Sequence, residues 1–256
     1  MVLSPLSRHL NLSRTSMAPI REYSNWNKRP SNSKEQIDPY KRYYFICEGK
    51  NTEVWYFKKL IDIRNTLDIH SSIELVCLEK TGEHKNISNP KSLIEFADAQ
   101  KKNKSIKFDP KHDKMIVIFD ADIFETQQNN YDEILELGKQ YNILGVTNPS
   151  FELFLLLHYE NSVDQIIIPE TTDIIKNDWI GSNKNTQKRY IADLLYRTKN
   201  LNSKRNEIGV AELACNLQIA IEQEKKINNN IEGCKGVITS NIGTIIQSII
   251  DDQCND

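Results

Sequence analysis

The chain has 256 residues, with 33 Lys and Arg against 35 Asp and Glu for a net charge of −2. That length suits one large domain, or one domain with a smaller appendage, and buries a core without disulfide or metal staples. The charge balance excludes a globally basic nucleic-acid binder and leaves room for a local basic face. Cys47, Cys77, Cys215, Cys234 and Cys254 are odd in number and contain no Cys-x-x-Cys pair, which argues against a disulfide framework or zinc knuckle and for a reducing cytoplasm. No apolar run reaches the roughly 18–20 residues of a spanning helix, so no membrane partner is expected.

Residues 1–40 are rich in Ser, Asn, Pro and Arg and poor in acids. They read as a disordered or poorly ordered basic tail. Arg8, Arg14 and Arg21 among serines bear a faint likeness to a transit peptide, and Met17 is an alternative start. Tyr43–Cys47 is a buried-strand run. Val54, Phe57, Leu60, Ile61 and Leu67 then recur at helical spacing, with Thr52 placed to cap the helix. Ser72–Leu78 alternates as a second strand, and a polar loop runs over Thr81–Asn89. Pro90 opens a helix through Leu93, Ile94, Phe96 and Ala97. After a charged connector, Met115–Phe119 is the most apolar strand and is expected at the centre of the sheet. A helix over Tyr131–Tyr141 and a short strand over Ile143–Val146 follow.

This alternation predicts an α/β fold, Rossmann-like, with a mostly parallel sheet flanked by helices. In a 2-1-3-4 strand order the first and third strands are neighbours at the switch point, where ligands bind beyond the strand C-termini. From Asn148 onward the pattern is mainly helical. Phe151–Leu157 is apolar on nearly all sides, with Ser150 placed to cap it and Glu152 in its first turn. Periods continue over Thr186–Tyr196, Val210–Ile227 and Asn241–Ile250, and the last residues, from Asp251, read as a polar tail. The expected division is an α/β domain over 41–160 and a helical extension over 161–256 packed on it.

Two strand-like runs end in acids, the first at Glu48 and the other at Asp120 and Asp122. The predicted topology brings these ends together although about seventy residues separate them. Glu48, Asp120 and Asp122 offer hard oxygen ligands of the kind Mg²⁺ chooses, and Mn²⁺ substitutes for it. Gly49 permits a sharp turn and close backbone approach. Glu53, in the first helical turn, is a further ligand or a base. Taken singly, each acid also reads as a turn residue or cap, and an Asp-x-Asp pair is common in loops. Glu152 is an acid in the outer surroundings of the site or a catalytic base, or else an acid serving the helix dipole. His158 reads as a satisfied core histidine.

For phosphate contact the candidates are Lys50 within the glycine turn, Lys80 and Lys85 after the second strand, and the cluster of Lys184, Lys188 and Arg189. Arg197, Lys199, Lys204 and Arg205 extend that cluster, and Trp179 or Tyr190 is available for stacking. The competing reading is a solvated helix face.

Glu48-Gly49 with Thr52-Glu53 resembles the first signature of the Toprim (topoisomerase–primase) domain, and Asp120-Ala121-Asp122 resembles its acidic Asp-x-Asp. Asn148-Pro149-Ser150-Phe151-Glu152-Leu153, followed by Leu155-Leu156-Leu157-His158, is similar to RloB-like Toprim proteins of bacterial defence and restriction loci. The resemblance covers about residues 42–160. It implies a Toprim-like fold and a Mg²⁺-dependent endonuclease acting against phage on DNA or a structured RNA such as tRNA. Glu48, Asp120 and Asp122 would be metal ligands, Glu53 a helper, and Glu152 part of the catalytic set. A regulatory partner protein and a homo-oligomer are compatible with it. The alternatives are a non-catalytic nucleic-acid or nucleotide-binding module and, more remotely, a primase-like polymerase.

Overall fold

Tyr43, Phe45 and Cys47 face one side of a strand, Tyr44 and Ile46 the other, and all five are buried. A strand covered on both faces belongs inside a sheet with helices above and below it. The computed structural model describes residues 21–23, 40–124, 128–182 and 187–252, the side chains of 83, 128 and 129 excepted. Its strands are β1 (Arg21–Tyr23), β2 (Lys41–Cys47), β3 (Ile73–Glu79), β4 (Lys114–Asp120), β5 (Ile143–Asn148), β6 (Trp179–Ile180), β7 (Lys188–Arg189) and β8 (Thr239–Ser240). Its α-helices are α1 (Thr52–Asp62), α2 (Pro90–Lys101), α3 (Gln128–Lys139), α4 (Phe151–Leu157), α5 (Thr171–Lys176), α6 (Tyr190–Lys199), α7 (Glu207–Glu212), α8 (Leu217–Glu224) and α9 (Ile242–Ile250).

The main sheet runs β1-β3-β2-β4-β5-β8. Its four central strands are parallel and follow the order expected from the alternation, second-first-third-fourth. Each crossover carries a helix, so the C-terminal ends of β2 and β4 lie side by side. Ile116 and Ile118 pack with α1, α4 and the later helices on one face. Met115, Val117 and Phe119 pack with α2 and α3 on the other. The last part of the chain is woven into this core: β8 pairs with β5, and Ile242, Ile245, Ile246 and Ile249 of α9 join the first face.

The structure departs from the sequence reading at several points. Two antiparallel edge strands flank the parallel ones. One, β1, lies inside the stretch expected to be a loose tail; Arg8, Arg14, Met17 and the rest of 1–39 lie outside the described residues. Edge strands of three and two residues are held by main-chain pairing and leave no side-chain period to read. The helix expected from Thr186 starts at Tyr190, because Lys188–Arg189 pairs with Trp179–Ile180 in a hairpin. The period over Val210–Ile227 is broken by a 3₁₀ turn at Leu213–Asn216, which keeps Leu213, Ala214 and Leu217 all buried. Neither expected side-chain cap forms. Thr52 sits inside α1 and donates to the Ser203 carbonyl at 2.9 Å, and the Ser150 hydroxyl donates to Glu152 at 2.7 Å. Among the described residues no helix is long and apolar enough to cross a membrane.

Candidate functional site

The parallel ladder between β2 and β4 ends at Glu48, whose N–H donates to the Ile118 carbonyl at 2.9 Å. Continued ladder geometry would give the next donor, the Asp120 N–H, to the Glu48 carbonyl. Instead the Glu48 carboxylate accepts it, at 3.1 Å. The displaced Glu48 carbonyl is taken by the Lys80 ammonium, which also donates to the Ile87 carbonyl at 2.6 Å. Glu48 and the end of β4 are thus locked together at the switch point. Burial, followed by the charges of Glu53 and Asp122, raises the Glu48 carboxyl to about 7 against the N–H that favours its ionised form.

Glu53 points back from the first turn of α1 into the same site and is 6% exposed. Gly49 leaves the space it fills, since a Cβ at Gly49 would lie 2.0 Å from Glu53 Oε2. The need for glycine here is room for a carboxylate. Asp120, which accepts from the Thr147 hydroxyl at 2.8 Å, is pushed well above the usual carboxylate range by burial and by the charges of Glu53, Glu48 and Glu152. Burial raises Glu53 as well.

Glu152, on α4, behaves differently. Burial alone would raise it, yet the Lys204 ammonium at 2.9 Å and the hydroxyls of Ser150 and Ser203 (2.7 and 2.8 Å) hold it down to about 2. Ser203 and Lys204 arrive on the loop between α6 and α7, pinned by the Thr52 bond. Desolvation of its ammonium alone would lower Lys204, yet the charges of Glu152, Glu53 and Asp120 raise it, although the rest of the side chain stays exposed. The sequence grouped Lys204 with a basic cluster along the helix; the fold separates it and lays it over the acids. Its neighbour Ser203 meets Glu152 across 51 residues of chain, and a pairing so distant leaves no local signal.

Asp122 leaves the strand line, as a turn residue can, and opens a 3₁₀ turn. It leans toward the hairpin, where Arg189 Nη2 stands 3.8 Å from its Oδ2. Burial raises Asp122 and Arg189 opposes the rise. Lys188 lies over the Tyr196 ring at 3.9 Å, and Lys184 is outside the described residues. Lys50, Lys80 and Lys85, with Arg21, line a cleft of about 430 Å³ beside Gly49. Lys50 donates to Asn86 at 2.7 Å, and Lys80 is committed to its two carbonyls.

The three acids expected to share an ion therefore share an edge without forming a ligand cluster. Among the described residues no group of three or more His, Cys, Asp or Glu is placed to hold a metal. Glu48 is engaged by the Asp120 N–H, and Asp122 is turned toward Arg189. The donor set itself fits a hard divalent cation: it is all carboxylate oxygen, crowded and partly withdrawn from water, with neither sulfur nor imidazole among it. His158 is the core histidine expected, its Nδ1 at 2.8 Å from the Phe154 carbonyl and its Nε2 at 2.9 Å from the Tyr56 hydroxyl. Among the described residues no cysteine is in a disulfide.

Residues 43–252 match a protein family described as RloB-like protein. No curated protein and no solved structure matches the chain significantly.

Proposed function

The chain belongs to the RloB-like family, and from that premise and the acidic edge we propose that it is a Mg²⁺-dependent nuclease of Toprim type. It cleaves phosphodiester bonds in DNA or a structured RNA such as tRNA and serves as a cytoplasmic anti-phage effector. The observation that carries this reading is the Glu48 carboxylate locked to the Asp120 N–H at the ends of neighbouring strands, with Glu53 packed against them.

Glu48, Asp120 and Asp122 would hold Mg²⁺, with Mn²⁺ substituting. When bound, the ion polarises a phosphate oxygen and lowers the pKa of a coordinated water. The remaining roles fall to the protein. Glu53, raised by burial, is a stronger base than an exposed carboxylate and is the acid placed to accept a proton. Glu152, held at about 2, is too weak a base for that work; it positions Lys204, whose ammonium faces the charge of the transferred phosphoryl group. Lys50, Lys85 and Arg21 make the neighbouring cleft attractive to phosphate.

One observation favours a second reading, a rim that binds nucleic acid or nucleotide under a partner's control without cutting. Lys204 already neutralises part of the acid charge. Two measurements separate these readings. Purified protein with Mg²⁺ or Mn²⁺ is incubated with plasmid, single strands and total tRNA, and cutting is expected. Cutting that survives Glu48→Ala or Asp120→Asn overturns the assignment. In calorimetry, Mn²⁺ should bind the wild type and not Glu48→Ala, whereas a pure binder shows no such heat.

A further inference from the structure

The hairpin formed by β6 and β7 has no part in the core. Its register pairs Trp179 with Arg189, so both side chains stand on the same face. The Arg189 guanidinium lies 4.7 Å from the Trp179 ring. Trp179 remains 58% exposed, the most open of the described tryptophans. On its other side the same guanidinium reaches Asp122 at 3.8 Å and is steadied by the Asn177 carbonyl at 3.2 Å. One arginine thus links an exposed indole to an acid of the candidate site through two contacts.

Basic side chains flank the Trp179–Arg189 pair: Lys188 lies over the Tyr196 ring and Lys199 over the Tyr159 ring, while Arg197 is paired with Glu170 at 3.6 Å and Asp193 at 3.9 Å. A surface indole beside fixed cations matches the chemistry of an unpaired nucleotide: every base has a face to stack, and every nucleotide brings a phosphate. A base stacked inside a duplex has both faces covered by its neighbours, so duplex gains only the charge contacts.

We propose that the Trp179–Arg189 face of the hairpin is a platform for an unpaired nucleotide next to the scissile bond, with the base stacked on Trp179 and Arg189 exchanging Asp122 for the adjoining phosphate. This rests on the nucleic-acid reading of the acidic edge and makes the substrate a single strand, or the unpaired loop of a folded one. Arg189 then has two states. Paired with Asp122 it neutralises that carboxylate in the free protein. Paired with phosphate it releases the carboxylate as substrate arrives.

The test uses full-length Asp120→Asn protein, so that nothing is cut, and fluorescence anisotropy with labelled oligothymidine, oligouridine and a blunt duplex of the same length. Single strands should bind at least about tenfold more tightly than duplex. Trp179→Ala should weaken single-strand binding by about tenfold, the effect of one lost base–aromatic stack, and leave duplex binding and the salt slope unchanged. Trp179→Phe should restore most of the loss and guards against a folding artefact. Arg189→Ala should lower the salt slope by about one. Equal binding of strand and duplex, duplex preference, absence of binding, or a neutral Trp179→Ala would each overturn the proposal. The last, with intact binding, would point to a protein partner for the exposed indole. Intact strand binding by a wild type that never cuts would remove the nuclease reading and leave the platform standing.

Discussion

Two of the places where this chain buries carboxylates do so in opposite ways. Glu224, at the end of α8, is 1% exposed and accepts from four donors: the Ser240 hydroxyl at 2.6 Å, the Gly243 N–H at 2.9 Å, the Thr244 N–H at 2.6 Å and the Thr244 hydroxyl at 2.9 Å. Two of these are the first free N–H groups of α9, whose own cap residue Asn241 makes no side-chain cap bond. Glu224 therefore caps a neighbouring helix. At the ends of β2 and β4 the acids face chiefly one another, and Glu48, Glu53 and Asp120 have few donors among them. A buried acid is thus no signature of function. A buried acid left short of donors, beside others of like charge, carries a cost in the free protein that only a cation or a proton relieves.

The largest expected effect breaks that comparison most directly. Asp120→Asn should lower cutting by at least about a hundredfold, since even loss of a metal's outer partners costs ten- to a hundredfold. Its thermal midpoint should stay level or rise, because a repelling charge is gone while the Thr147 bond can persist. Glu224→Ala should do the reverse, costing on the order of 3 kcal/mol by leaving four buried donors without an acceptor. Denaturant melts and plasmid or tRNA assays on both variants settle it. A strongly destabilised Asp120→Asn would mean that the edge acids are structural.

Much of the frame was readable beforehand. The runs of β2 to β5, the helices between them and the strand order follow from apolar period and chain alternation, and that order alone set Glu48 beside Asp120. What could not be read shares a physical cause. Thr239–Ser240 and Trp179–Ile180 are too short to carry a period. Lys204 and Glu224 owe their roles to partners brought by tertiary packing, and a lysine in a basic stretch or a glutamate on a helix looks solvated in one dimension. The carboxylate set was legible as residue types. Its arrangement, with Asp122 turned to Arg189, was not.

Two glycines give a subtler contrast. Each stands against a carboxylate, with Gly49 beneath Glu53 and Gly243 beneath Glu224. An added Cβ at Gly49 would meet Glu53 Oε2 at 2.0 Å, whereas at Gly243 the nearest Glu224 oxygen is 3.0 Å away. Gly49→Ala should therefore expel Glu53 from the site and lower cutting by about tenfold or more, with a stability loss of about 1–3 kcal/mol typical of overpacking. Gly243→Ala needs a shift of only tenths of an ångström, and the better helix propensity of alanine, worth nearly 1 kcal/mol, offsets it. Activity should be untouched and stability should change by less than about 1 kcal/mol. Equal effects at both glycines would mean that the Glu53 carboxylate has room to swing aside.

The smallest effect is a difference in pH dependence between Glu48 and Glu152. Glu48 titrates near 7 in the fold against 4.5 when free. Above pH 7 it is charged in both states, and the folded state bears the penalty. As pH falls from 7 toward 4.5 the folded protein binds a proton that the unfolded chain does not, and the penalty disappears. His158, lowered by burial to about 4, acts with the opposite sign between 6.5 and 4 and masks the trend in the wild type. A comparison of variants cancels it. Glu48→Gln, without metal, should be more stable than wild type at pH 8 by on the order of 1–2 kcal/mol, with the gain fading by pH 4.5. Glu152 is lowered, so its stabilisation is complete above 4.5 and lost as pH falls toward 2. Lys204→Ala should then cost on the order of 1 kcal/mol near neutrality, less than a fully buried pair because Lys204 is largely exposed, and the cost should shrink only below pH 4.5. Urea midpoints of the three proteins from pH 3 to 8 measure both windows. A Glu48→Gln difference that stayed constant across pH 4.5–8 would show that the Glu48 carboxyl titrates as it does in the unfolded chain, and that the Asp120 N–H compensates its burial in full.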